Sequence, residues 1–124
     1  GILVWGARTL DGISNEWRYI SVRRLFNYIE ESIQKSTMWA VFEPNDVNTW
    51  MKIKCQISNF LTGLWRQGAL VGATPDDAYF VNVGVPATMT QDDINNGRLI
   101  VQVGIAASRP AEFITLEFSH KMEQ

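Results

Sequence analysis

The chain has 124 residues, 46% of them hydrophobic and 19% charged, with a formal net charge of −2. That is enough apolar material for a single domain, 1–124, to bury its own core, and a charge so close to neutral supplies no basic field of the kind that holds nucleic acid. The one cysteine, Cys55, excludes an internal disulfide framework, and the apolar runs 2–5 and 99–101 are far too short to cross a bilayer.

In chain order, residues 2–10 read as a strand and "DGISNE" (11–16) as a polar turn in which Gly12 supplies backbone freedom. Opening on "GILVWGARTL" without a start methionine is read as the sign of a longer protein. The period then changes. Val22, Leu25, Phe26, Ile29, Ile33 and Ala40 fall on one helical face, Ser21 is placed to cap it, and Glu31 precedes Lys35 by four, so a helix is predicted over about 20–41. Pro44 closes it. Asn45 or Asp46 caps a second helix over about 46–67, with Trp50, Ile53, Ile57, Phe60, Leu61 and Leu64 on its apolar face and Gly68 where a left-handed terminus favours glycine.

The remainder reads as β-rich: strands over 78–85, 98–107 and 112–120, with one capped helical turn at 90–97 in which Thr90 precedes Asp93 by three. "SRP" (108–110) is short enough to link the last two strands as a hairpin. The predicted fold is an α+β two-layer sandwich, a mostly antiparallel sheet with two amphipathic helices on one face, in the order β-α-α-β-β-β. The last segment alternates: Ile114, Leu116 and Phe118 point one way, while Thr115, Glu117 and Ser119 point the other. Near a chain end such a strand is expected at a sheet edge, where its unpaired peptide groups invite another chain.

Reactive chemistry finds little support. The only histidine, His120, sits on the terminal strand and reads as a surface residue rather than a catalytic base. Cys55, between Lys54 and Gln56, reads as a packing residue. Asp92-Asp93 fails as a calcium loop: with Gly97 at the loop glycine, Ile94 and Val103 occupy ligand positions. Asp76-Asp77 and Asp92-Asp93 are therefore expected to serve turns and caps. No glycine-rich phosphate loop occurs, and no catalytic residue, metal or cofactor is expected. The tryptophans at 5, 17, 39, 50 and 65 are read mainly as core residues.

Charge is uneven. Arg18, Arg23 and Arg24 gather near the start of the first helix and Lys52, Lys54 and Arg66 lie along the second, while 76–124 is rich in carboxylates. One reading is ordinary solvated surface; the other is a basic helical layer turned toward an acidic partner.

Taken together, "VWGARTL", "WRYISVRRLFNYIEESIQKSTMWAVFEPN", "ISNFLTGLWRQGAL" and "GRLIVQVGIAASRPAEFITLEF" resemble the C-terminal domain of contractile tail sheath proteins of phages, R-type bacteriocins and phage-tail-like injection systems. The resemblance implies a non-enzymatic structural subunit, its inner domain facing the tail tube, in a helical polymer that contracts to drive the tube through a target envelope. It implies partners in other sheath subunits, the tube protein, and baseplate and terminator proteins, with no nucleic acid and no membrane insertion. Assembly in the host or producer cytoplasm, into a virion tail or a released particle, is implied too. Terminal strands would join sheets in neighbouring subunits by β-augmentation, for which Ile114, Leu116, Phe118, His120, Leu3 and Trp5 are the expected contacts. Arg18, Arg23, Arg24, Lys52 and Lys54 are the expected contacts to an acidic tube. Deleting everything after Pro110 is expected to stop polymerisation and leave the helices folded; alternatively, "PAEFITLEF" is the inner strand of a hairpin and only "SHKMEQ" an arm. The competing reading is a small carbohydrate- or peptide-binding module using its tryptophans.

Overall fold

The computed structural model describes residues 21–85 and 87–122. The expected strand at 2–10, with Leu3 and Trp5, and the expected contact Arg18 lie outside them.

Helix α1 spans Val22–Ser36, capped by Ser21, whose Oγ accepts the Arg24 N–H at 3.2 Å. Leu25, Ile29 and Ile33, spaced by four, form its buried stripe, whereas Val22, expected on that stripe, is exposed. The expected single helix to about 41 ends early. At Thr37 the side-chain hydroxyl and the backbone N–H both take the Ile33 carbonyl, at 2.7 and 3.1 Å. Such local competition favours a break, and the chain continues as a 3-10 helix, Met38–Phe42. Glu43 is then extended, as the residue before Pro44 must be.

Helix α2 spans Val47–Arg66, with the Asp46 carboxylate accepting the Thr49 N–H at 3.2 Å. Trp50, Ile53, Ile57, Leu61 and Leu64 are buried, each worth roughly 1.5–3 kcal/mol relative to exposure. Phe60 is half-buried against the same core. Gly68, at φ 87°, turns the chain as anticipated. A short helix absent from the sequence reading, α3 (Pro75–Ala78), leads into strand β1, Tyr79–Val83. Helix α4 (Gln91–Asn95) carries the expected capping box between Thr90 and Asp93.

Strands β2 (Arg98–Ile105) and β3 (Ile114–Lys121) complete an antiparallel sheet of order β1-β2-β3 among the described residues. In register, Val81 faces Val103, and Val101 faces Phe118. Alternation sends Leu99, Val101, Val103, Ile105, Val81 and Phe118 into one core cluster with Ile29, Ile33, Ile53, Ile57 and Leu61, so both helices contribute to the core beneath one sheet face. The α+β architecture is the expected one.

Two interlocks fix the layers. Buried Asn45 accepts the Trp50 indole N–H through Oδ1 at 2.7 Å and donates from Nδ2 to the Arg98 carbonyl at 2.9 Å, tying the start of α2 to the start of β2. Gly84, at φ 100°, lies so close under the Trp50 ring that a Cβ there would stand 2.5 Å from Cε3.

Candidate functional site

The eight residues of β3 pair with β2 along one side only, and on its other side no strand lies among the described residues. Which peptide groups face outward follows from the ladder. Beyond the strand end, the Met122 N–H donates to the Gly97 carbonyl at 2.6 Å, so the bonded positions of β3 are the even ones and the strand alternates. The N–H and C=O groups of Thr115, Glu117, Ser119 and Lys121 therefore point away from β2. Four donors and four acceptors stand in a regular row over a strand of about 27 Å at 3.4 Å per residue.

The side chains of this strand change character along it. Ile114 is 45% exposed and Leu116 half-buried, while Phe118 and His120 are 3% and 6% exposed. Phe118 and His120 are thus spent on this chain's own interior, and what the strand offers outward is its backbone with Ile114 and Leu116. His120 is not the surface residue the sequence suggested: its Nε2 lies 2.8 Å from Thr37 Oγ1, and burial pushes its pKa below the usual histidine value. The deletion after Pro110 also needs correction. It would remove buried Phe118, His120 and Met122 and the partner of β2, so the helices would lose part of their core.

Strands β2 and β3 do form a hairpin, but the link is longer than "SRP", β3 is an edge strand rather than an inner one, and Ser119, His120 and Lys121 belong to it instead of to a free arm. Residues 106–113 fold back over β1: the Ala111 N–H donates to the Asp77 carbonyl at 2.9 Å, with Ala111 at φ 61°. Phe113 meets Phe80 edge to face, ring centroids 5.0 Å apart. Phe80 in turn covers Gly104. This stack places Ile114, the first residue of the edge strand.

The expected basic contacts do not form one stripe. Arg23 and Arg24 are exposed in the first turn of α1, which holds no acidic residue, an orientation unfavourable to the helix dipole. Lys52 and Lys54 are exposed on α2, but two positions apart on a helix they diverge by about 200°.

Asp92 and Asp93 serve local structure, while the short helix after Thr74 has no side-chain cap. Arg98 Nε holds Asp93 at 2.9 Å, and its guanidinium reaches Asp92 at 3.6 Å; the Thr90 backbone N–H first, then Arg98, lowers the Asp93 pKa. Glu31 and Lys35 pair at 3.5 Å as their spacing implied. Among the described residues no cluster of three or more potential metal ligands occurs, and no helix is long and apolar enough to cross a membrane. The indole N–H groups of Trp39, Trp50 and Trp65 are engaged internally, by Gln56, Asn45 and the Gly72 carbonyl. Cys55 is an exposed free thiol rather than a packing residue.

Comparison with known proteins bears on this arrangement. Residues 13–121 match the family model described as the phage tail sheath C-terminal domain. The tail sheath protein of Enterobacteria phage T4 is 25% identical over 119 residues, which are 95% of this chain and 17% of that protein. A chain in the cryo-EM structure of the anti-feeding prophage baseplate, 6-fold symmetrised, superposes with TM-score 0.69 at 52% identity, covering 96% of this chain and 33% of that one. A chain in the sheath complex of an extracellular contractile injection system, PVC, in its contracted state gives TM-score 0.69 at 51% identity, covering 92% and 32%. The chain therefore spans a third or less of the length of each of these relatives.

Proposed function

The chain belongs to the phage tail sheath C-terminal domain family, and from that premise we propose that it is the inner, tube-facing domain of a contractile sheath subunit. Subunits carrying it polymerise helically around a tail tube, and contraction of the polymer drives the tube through a target envelope. The role is structural rather than enzymatic. Assembly takes place in the cytoplasm of the producing cell, and the product is a virion tail or a released phage-tail-like particle that also engages baseplate and terminator proteins.

The observation that carries this reading is the open edge of β3. The inward-facing side chains Phe118 and His120 are buried in this chain's own core, and among the described residues no strand pairs with the outward row of peptide groups. A strand from a neighbouring subunit adds to that row, main-chain hydrogen bonds giving strength and side-chain alternation giving register. Ile114 and Leu116 form the apolar side of that junction. Leu3 and Trp5 are proposed as further contacts between subunits. Such links let subunits slide and turn during contraction without separating. Arg23 and Arg24, exposed together in the first turn of α1, face an acidic tube, and Lys52 and Lys54, which diverge on α2, cannot both do so.

The test is negative-stain electron microscopy of the intact subunit, expressed alone and with its tube protein. Striated hollow cylinders, filled by a tube in the second preparation, are the expected result. Dispersed particles in both would overturn the reading.

A further inference from the structure

We infer that His120 is an acid-sensitive latch, holding edge strand β3 against the helical layer while its ring is neutral and loosening that strand when the ring takes up a second proton. His120 is 6% exposed, and Leu99, its partner in register, is fully buried. Thr37 Oγ1 lies 2.8 Å from His120 Nε2 and 2.7 Å from the Ile33 carbonyl oxygen. A carbonyl only accepts and the hydroxyl has one proton, so that proton goes to Ile33 and the Thr37 oxygen accepts from Nε2–H. The neutral tautomer is thereby fixed with its proton on Nε2, and a second proton must go to Nδ1. The Thr37 bond survives that step, but a full positive charge then sits in a buried site.

Among the described residues, charged groups on the surrounding elements offer no compensation. On β3, Glu117 and Lys121 alternate to the opposite face and are exposed. On β2, Arg98 is exposed and engaged by Asp92 and Asp93. On α1, Lys35 pairs with Glu31 in solvent; Glu43 follows the 3-10 helix and Asp46 caps α2. Among the described residues the only hydrogen-bond partner of the ring is Thr37.

The direction of the pH effect follows from the lowered pKa. The folded ring binds its proton less readily than an unfolded histidine, whose pKa is about 6.5. The stabilisation is therefore fully present above the folded state's pKa only once pH also exceeds about 6.5, and it is lost as pH falls from about 6.5 toward the folded value. Strand β3, paired on one side, opens before the buried helix α2. The inference rests on the fold alone, so its failure would leave the sheath reading intact.

The test is residue-resolved hydrogen exchange on the intact protein between pH 7.5 and 4.5, corrected for intrinsic rates. In the wild type, protection of the Leu116, Phe118 and His120 amides should fall by up to about tenfold per pH unit below about 6.5, the limit for uptake of one proton, with α2 amides falling less. His120→Gln keeps a donor near the Nε2 position and does not titrate, so its β3 protection should be flat over the same range. Equal slopes in wild type and variant, or one slope shared by β3 and α2, would overturn the latch. Should His120→Gln fail to fold, the wild type decides: a proton NMR titration of this chain's only histidine must give a midpoint below about 6.5, and a midpoint at or above that value overturns the inference.

Discussion

Gly104→Ala probes how the edge strand is placed. Gly104 lies in the middle of the sheet, opposite Phe80 in β1 and Thr115 in β3, and the Phe80 ring lies directly over it. A Cβ added there would come within 2.6 Å of Phe80 Cδ2 and 2.5 Å of Cζ, so the ring must swing away. Overpacking of this kind costs about 1–3 kcal/mol. Moving Phe80 also forfeits its edge-on contact with Phe113, worth about 0.5–1.5 kcal/mol. Replacing glycine in a strand returns about 0.5–1 kcal/mol of backbone entropy. The net expectation is destabilisation by about 2 kcal/mol, read as a loss of roughly 1 M in the urea midpoint. In a Phe80→Ala background the clash is absent, so the same substitution should be neutral or stabilising, giving a coupling of about 2 kcal/mol in a double-mutant cycle. An equal cost in both backgrounds would refute the proposed packing.

Other substitutions test the loop at Ala111, the Asn45 interlock and the arginines of α1. Ala111→Gly relieves a left-handed alanine and should raise stability by about 0.5–1 kcal/mol in urea unfolding; a loss would mean that the loop 106–113 is held otherwise. Asn45→Ala leaves the Trp50 indole and the Arg98 carbonyl without their partner, and a loss of about 2–4 kcal/mol is expected by the same assay. Reversing charge with Arg23→Glu and Arg24→Glu should weaken association of sheath with tube at low salt and less so as salt rises; unchanged co-sedimentation at low salt would remove these arginines from the tube contact.

Much of this fold is legible in the sequence because burial imposes a period. Leu25, Ile29 and Ile33 on α1, and Trp50, Ile53, Ile57, Leu61 and Leu64 on α2, repeat at helical spacing, and their burial is what that spacing requires. The break at Thr37 is not legible, since a threonine hydroxyl can equally face water, and here a histidine 83 residues away holds it in the core. His120 did carry a signal: it continues the face of Ile114, Leu116 and Phe118, and its burial follows from that parity rather than from its place near the chain end. The basic residues mislead in the opposite way. Lys52 and Lys54 are neighbours in the sequence and diverge on the helix. Asn45 and Gly104 matter only through long-range partners, Arg98 and Phe80, which no local pattern names.

The role of the β3 edge is decided by assembly of the intact subunit carrying Glu117→Pro, counted as cylinders by negative-stain electron microscopy beside the wild type. The Glu117 N–H points away from β2, so proline there spares the internal ladder, as edge strands tolerate, and puts a methylene where an incoming strand needs a donor. The Glu117→Pro subunit should stay folded, within about 1 kcal/mol of wild type in urea, and form few or no cylinders. Normal cylinders from a folded Glu117→Pro subunit would contradict the claim that the open edge of β3 joins the sheath together.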